Sequence, residues 1–394
     1  MLAATMAMTA LAIDVMLPAF GDIRAEMGLA ADSPDVSGLV TAFFLGLALS
    51  QIPAGLLADR FGRKPVLRIG LLLYAAGAIG TLLAPSLGWM LVARFVWGLA
   101  AGGPRVVTMA IVRDRYEGDQ MARVMSLVMA MFIVVPVIAP SIGSLLLVIG
   151  PWQMVFGFCA VVATALNIWT GRLPETLHPD HRRPLRLRPV LDAARAVLRT
   201  RETVLLGLAL TAMTASFMSY LASVELIVEE VLDLGDAFPL VFGVLAIGMG
   251  LATFTNGRVV ERVGMWSMLR GVLVVFLVVT GANLALAIAT GGTPEPWQFL
   301  PVIGAVLASH ALLLPNLNAA AMQPVGRVAG TASALLGAVS MAVGAVTGSL
   351  IDQRFDGTVR PLSIAFFVSA VLAVVCFAAA RRARGRTATS SAPA

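Results

Sequence analysis

Twelve apolar runs, each about twenty residues long, take up most of this chain. A bilayer core about 30 Å thick is crossed by a helix of about 20 apolar residues. Inside that core every backbone N–H and C=O must be bonded within the protein, which leaves helices or closed barrels. The runs fall at 2–21, 36–57, 66–85, 89–111, 124–149 and 153–173, then at 203–228, 238–257, 266–290, 297–321, 328–351 and 361–380. The composition agrees: 59% of the residues are hydrophobic and 13% charged. A soluble fold of 394 residues could not keep that much apolar surface out of water. The chain is therefore read as an all-α integral membrane protein.

Charge sets the expected orientation. Of the 28 Lys and Arg residues, 23 follow even-numbered spans or lie in the C-terminal tail. Three (Arg24, Arg354 and Arg360) follow odd-numbered spans, and two (Arg94 and Arg105) lie inside span 4, while Arg68, Arg172 and Arg270, near span ends, are counted with the neighbouring loops. Basic residues concentrate in short cytoplasmic loops, so both termini are expected in the cytoplasm. The net charge of +6 is spread along these loops, which argues against a nucleic-acid partner. No basic segment precedes the first run, and Asp14 and Pro18 interrupt it, so it reads as a span and not as a cleaved leader. Because it begins almost at Met1, a short cytoplasmic lead upstream is left open. Cys159 and Cys376 lie in different runs and read as packing residues, with no disulfide and no metal site.

The chain also repeats itself. GLLADRFGRKP at 55–65 returns in degenerate form 202 positions later, with Gly55, Asp59, Arg60 and Gly62 matched by Gly257, Glu261, Arg262 and Gly264. Internal repeats in a membrane chain mark a transporter. The expected units are a six-helix bundle at 1–173, a linker at 174–202, a second six-helix bundle at 203–381 and a disordered basic tail at 382–394. Within the linker, Val190, Leu191, Ala194, Val197 and Leu198 recur at helical spacing beside Arg195, Arg199 and Arg201. That pattern fits either an amphipathic helix on the inner leaflet or a solvated linker.

Twelve spans in two pseudo-symmetric halves, with the charged turn after span 2, resemble the major facilitator superfamily. The signature turn matches at Gly55, Asp59, Arg60, Gly62, Arg63 and Lys64. Further stretches resemble the bicyclomycin-resistance type of drug:proton antiporter: AIDVMLPAF, ARFVWGLAAG, IVRDRY, VVPVIAPSIG, LPNLNAAAM and AGTASALLG, in that order. The resemblance implies the major facilitator fold and alternating access. It also implies that Asp59 belongs to a cytoplasmic latch facing the start of span 11, with Arg63 and the Arg113–Asp114 pair as partners. The alternative is an ordinary loop charge.

Asp14 and Arg94 lie at similar depth in spans 1 and 4, which the resemblance brings together on the central cavity. A carboxylate inside a span is costly and faces a cavity or a partner. A pair that separates during the cycle would move a proton; a fixed structural ion pair is the alternative. Arg94 matches the family's span-4 arginine, while Trp97 replaces a commonly polar neighbour. Arg105 shares the face of Arg94, because eleven residues bring a helix back to nearly the same direction. It would bind an anionic or carbonyl group, or pair near the span's end.

Glu225 departs from the family pattern and is expected either to carry a proton or bind a cation, or to belong with Glu229 and Glu230 to a solvated helix end. Pro136, Pro140 and Gly143 match the antiporter signature of span 5 and are expected to shape a hinge. Asn316 and Asn318 match the span-10 signature and would line the cavity or bond between helices. His310 reads as a hydrogen-bonded core residue.

No phosphate-binding loop, metal-ligand cluster or nucleophile–base pair stands out, so an enzyme is the least expected class and no cofactor beyond a proton gradient is implied. The expected function is export of small amphipathic compounds in exchange for protons by a monomer in the bacterial inner membrane. A metabolite uniporter or importer, and a non-transporting sensor or scaffold acting through the linker, are the alternatives.

Overall fold

In the computed structural model the chain is described over residues 1–390, apart from positions 179, 181, 183 and 186. Arg183 and Arg186 of the linker and the last four tail residues thus lie outside the described residues. Fourteen α-helices follow one another among the described residues. In the first half they are α1 (Leu2–Asp14), α2 (Phe20–Glu26), α3 (Gly38–Phe61), α4 (Arg63–Leu82), α5 (Leu87–Arg115), α6 (Gly118–Ile149) and α7 (Gln153–Thr170). Next comes α8 (Arg188–Arg199), then α9 (Arg201–Leu226), α10 (Phe238–Val263), α11 (Met265–Ala289), α12 (Pro296–Met322), α13 (Ala329–Asp352) and α14 (Arg360–Ser390).

Helices α1 and α2, joined by a short 3-10 turn, form the first span, and α8 is the linker helix; the other eleven are one span each. Ten stretches are long and apolar enough to cross a membrane as they stand. One of them, Pro296–Asp352, is 57 residues long and holds both α12 and α13, separated by a 3-10 turn at Gln323–Val328. The apolar part of α6, Val134–Ile149, supplies the remaining span.

The helices outrun several of the apolar runs, because a helix keeps its hydrogen bonds after its side chains turn polar. Helix α14 does so at the tail: it continues to Ser390 instead of ending near Arg381. Alanine and arginine are strong helix formers, and 378–386 is made almost entirely of them.

The chain forms two compact units, Met1–Arg186 with Leu234–Ile247, and Leu187–Asp233 with Gly248–Ala394. Residues 234–247 therefore group with the first unit, not with the second bundle. There the start of α10 borders an apolar cavity of about 480 Å³ together with Val137, Ser141 and Leu145 of α6. The linker helix groups with the second unit and packs on α9 and α13. Its Ala193 and Val197 are buried, while Leu191 and Leu198 stay exposed.

The sequence repeat is also a packing repeat. In the first unit α1 packs on α6, and α4 packs on α5 and α7. In the second, α9 packs on α13, and α11 packs on α12 and α14. The matched glycines show why the turn recurs. Gly62 has φ +108° and Gly264 has φ +77°, a region that side chains other than glycine rarely enter, and each opens the next helix.

In the first unit α3 and α5 cross closely. There Gly98 lies against the Phe43 carbonyl, and a Cβ at position 98 would stand 3.0 Å from the Leu47 nitrogen. Small residues permit this approach between membrane helices, where dispersion contacts replace the hydrophobic drive.

Candidate functional site

The first span breaks at Asp14. Proline at position 18 has no N–H for the Asp14 carbonyl, and its ring clashes there, so α1 stops. The N–H of Met16 turns to the Ile13 carbonyl at 3.3 Å. The Ala12 carbonyl is met instead by Arg94, whose Nη1 donates to it at 3.0 Å while Nε donates to the Leu39 carbonyl at 3.2 Å. The guanidinium also lies 4.7 Å from the centres of the Phe43 and Trp97 rings. Cation–π contacts of this kind strengthen away from water. From the other side Gly143 of α6 closes on the Val15 carbonyl, where a Cβ would clash. The break is thus gripped by an arginine and a glycine that the sequence placed in separate roles.

Asp14 itself is 5% exposed and makes no hydrogen bond or ion pair among the described residues. The expected Asp14–Arg94 pair is not formed. The break leaves a backbone carbonyl needing a donor, and the guanidinium fork serves it. Arg94 is fully buried, and its Nη2 makes no hydrogen bond among the described residues. Arg105, eleven residues on, is half-buried and makes no hydrogen bond or ion pair among the described residues. Pro136 and Pro140 lie inside α6, which stays one continuous helix through both.

A second cluster forms at the signature turn. The Arg63 side chain spans two carboxylates, donating from Nη1 to Asp59 and from Nε to Asp114 at 2.9 Å. Arg63 is largely buried, with a side chain 11% exposed. Arg113, expected beside Asp114, is exposed and takes no part. Neighbouring residues on a helix point about 100° apart, so only one of the pair faces α4. Arg60 is also exposed, and Gly55 has ordinary room, 3.7 Å from the Val106 side chain to a built Cβ.

The sequence reading missed Glu175. Its Oε1 accepts from the backbone N–H of Arg63 at 2.9 Å, and Oε2 from that of Lys64 at 3.2 Å. Oε1 also accepts from the Thr176 and Leu177 N–H groups, at 2.9 and 3.0 Å. Partial burial pushes this carboxyl up, but the four backbone donors outweigh it and hold it below the usual carboxylate range. Lys64 adds a bond from Nζ to the Gly171 carbonyl at 2.8 Å.

The echo of this turn in the second unit is built differently. Glu261 and Arg262 are exposed, with no ion pair among the described residues. Trp266, the positional match of Lys64, donates from Nε1 to Gln323 at 3.2 Å, with the Arg384 guanidinium 4.5 Å from its ring centre.

The span-10 asparagines tie helices together. Asn316 donates to Asn256 of α10 at 2.7 Å and to the Leu312 carbonyl at 2.7 Å. Asn318 donates to Ser333 of α13 at 3.2 Å. Neither partner was singled out in the sequence.

His310 is fully buried among Phe217, Phe276 and Phe366 and bonds the Met213 carbonyl through Nε2 at 3.0 Å. Glu225 is 3% exposed near the end of α9, whereas Glu229 and Glu230 are exposed in a π-turn at Ile227–Val231. Two further charged side chains are buried, Arg24 at 3% and Asp352 at 2%.

A broken first span and a repeated six-helix packing are features of secondary transporters. A sequence model of the Major Facilitator Superfamily matches residues 1–349. A bicyclomycin resistance protein homolog of Haemophilus influenzae is 28% identical over 93% of this chain and 91% of its own length. Multidrug resistance protein D of Escherichia coli is 26% identical over 96% and 94%. Among solved structures, the peptide transporter POT in complex with sulfate is similar with a TM-score of 0.76, at 16% identity, over 97% of this chain and 94% of that one. With the family model covering most of the sequence and the same fold in a solved transporter, this chain belongs to the major facilitator superfamily and is a membrane transporter.

Proposed function

We propose that this transporter exports small amphipathic compounds in exchange for protons, by alternating access, from a bacterial cytoplasmic membrane with both termini inside. One observation carries the reading: Asp14, a buried carboxyl group without a hydrogen bond or ion pair among the described residues, at a helix break inside a membrane span. Ionised groups in spans are costly unless they serve a pathway. Discontinuous transmembrane helices are where secondary transporters build their ion and substrate sites. The names of the relatives support the substrate class, and the arginine bias supports the orientation.

In this reading Asp14 gains a proton in one state and loses it in the other. A proton or a substrate shifts the balance only by binding the two states unequally. Arg94 anchors the break that presents Asp14. Glu225, also buried, is proposed as a second carboxyl group for coupling or for a cationic substrate, with Arg105, Asn316 and Asn318 as further polar positions. The Asp59–Arg63–Asp114 cluster is the cytoplasmic latch, and the working unit is a monomer.

The test is proton release from acidified everted vesicles on addition of a panel of amphipathic drugs. Drug-dependent release that vesicles without the protein lack supports antiport. Silence across the panel, with folded protein present, favours a uniporter or importer of a specific metabolite.

Asp59→Asn keeps the shape of the side chain but removes the charge that holds Arg63. Its expected effect is a transport rate lowered about tenfold per inserted protein, the scale of losing one charge-assisted hydrogen bond. Flux normalised to protein recovered from the membrane checks it.

A further inference from the structure

We infer that Glu175 is a positioning residue for the Asp59–Arg63 latch: a carboxylate clamp over the first turn of α4 that sets where the Arg63 guanidinium stands. The inference rests on the latch reading above.

The first four N–H groups of any helix lack partners within it. In α4 two of them, at Arg63 and Lys64, are taken by the two oxygens of Glu175, at 2.9 and 3.2 Å. A negative charge is favoured at this end of a helix, and α4 is 20 residues long.

The fit is specific. A Cβ at position 62 would fall on Oε2 of Glu175, so Gly62 is required both by its positive φ and by the carboxylate it admits. The same carboxylate accepts from Thr176 and Leu177, so it closes its own turn as well as the helix it caps. From the same turn Lys64 reaches back to the Gly171 carbonyl at 2.8 Å, a second tie between this segment and the start of α4.

The consequence follows from which residue is clamped. Arg63 carries on its backbone the amide that Glu175 holds, and on its side chain the guanidinium that joins Asp59 of α3 to Asp114 of α5. With the amides released, the first turn of α4 frays and the guanidinium loses its fixed origin.

The test uses the full chain in lipid nanodiscs and liposomes, with Glu175→Gln, Glu175→Asp, Asp59→Asn and the double variant Asp59→Asn/Glu175→Gln. Hydrogen exchange of residues 62–67 reads the clamp, exchange of residues 264–268 serves as the internal reference, and drug flux gives maximal rate and KM. Glu175→Gln is expected to speed exchange at 62–67 about tenfold, the scale of losing a hydrogen bond to a charged group, with 264–268 unchanged. Its maximal rate should fall as far as that of Asp59→Asn, with KM unchanged, and the double variant should be no slower than the slower single. Glu175→Asp, one methylene shorter, should not restore the rate, because it cannot span both amides.

Exchange at 62–67 left at the wild-type rate overturns the clamp. Faster exchange with a wild-type transport rate, alongside a slow Asp59→Asn, reduces Glu175 to a helix cap and overturns its positioning role while the latch stands. Wild-type rates in both single variants overturn the latch reading and this inference with it.

Discussion

Asp14→Asn is expected to abolish drug-driven proton release while leaving the protein folded. The substitution keeps the volume and polarity of a side chain that is 5% exposed and makes no hydrogen bond or ion pair among the described residues. It therefore opens no cavity and breaks no partner. The supports of the helix break, Arg94 on the Ala12 carbonyl and Gly143 on the Val15 carbonyl, do not involve the carboxyl group. What is lost is the ability to exchange a proton. Removing a positioned proton carrier costs on the order of a hundredfold or more, so coupled release should fall below detection. Equilibrium exchange of labelled drug at equal pH should persist, because it needs the cavity and not the proton. Proton release measured with a pH-sensitive dye, beside drug exchange in the same vesicles, separates the two. Full proton release in Asp14→Asn would move the coupling site elsewhere, with Glu225 the next carboxyl group to test.

Gly98→Leu is expected to remove the folded protein from the membrane. Glycine 98 faces the backbone of α3, where a built Cβ overlaps the Phe43 carbonyl and stands 2.9 Å from its carbon. Backbone cannot step aside as a flexible side-chain end can, so α3 and α5 must part. Phe43 and Leu47 are fully buried at this crossing, and the Arg94 bond to Leu39 leaves from the same face of α3. Overpacking a tight core costs about 1–3 kcal/mol and more where the backbone must move, against a total stability of about 5–15 kcal/mol. Even Gly98→Ala should lower the melting temperature. Gly157→Ala on α7 is the control: nothing lies within 4 Å of its built Cβ. It should gain up to about 1 kcal/mol, the helix preference of alanine over glycine. Thermal melts of detergent-purified variants give the comparison, and equal melts for the two alanine variants would sink the account.

Some of the site was legible before any coordinates. Asp14 stood out because a carboxyl group inside an apolar run is rare; that the helix stops there, four residues before Pro18, only the fold showed. Gly62 and Gly264 stood out through the repeat, and their positive φ values explain why glycine returns there. The amphipathic stripe of the linker became helix α8. The partners were not legible. Arg94 lies 82 residues from the carbonyl it serves, and Glu175 lies 112 residues from the amide it caps. Glu175 sits in a polar, proline-rich loop whose composition marks it as a linker, and nothing in its neighbours announces a helix waiting for a carboxylate. Asn256 was not singled out in the sequence, and only the fold brings it to Asn316.

The sequence by itself determined the elements of this protein: the number of spans, their internal repeat, the charged turn and the family to which they belong. Lipid imposes that determinism, since a chain in hydrocarbon must satisfy its backbone locally and shows this as apolar runs of fixed length. The tertiary structure alone decided which polar groups meet. A buried arginine or carboxylate takes whichever partner the packed helices bring within reach, so Arg94 turned from Asp14 to a carbonyl freed by the helix break, and a loop glutamate became the cap of α4.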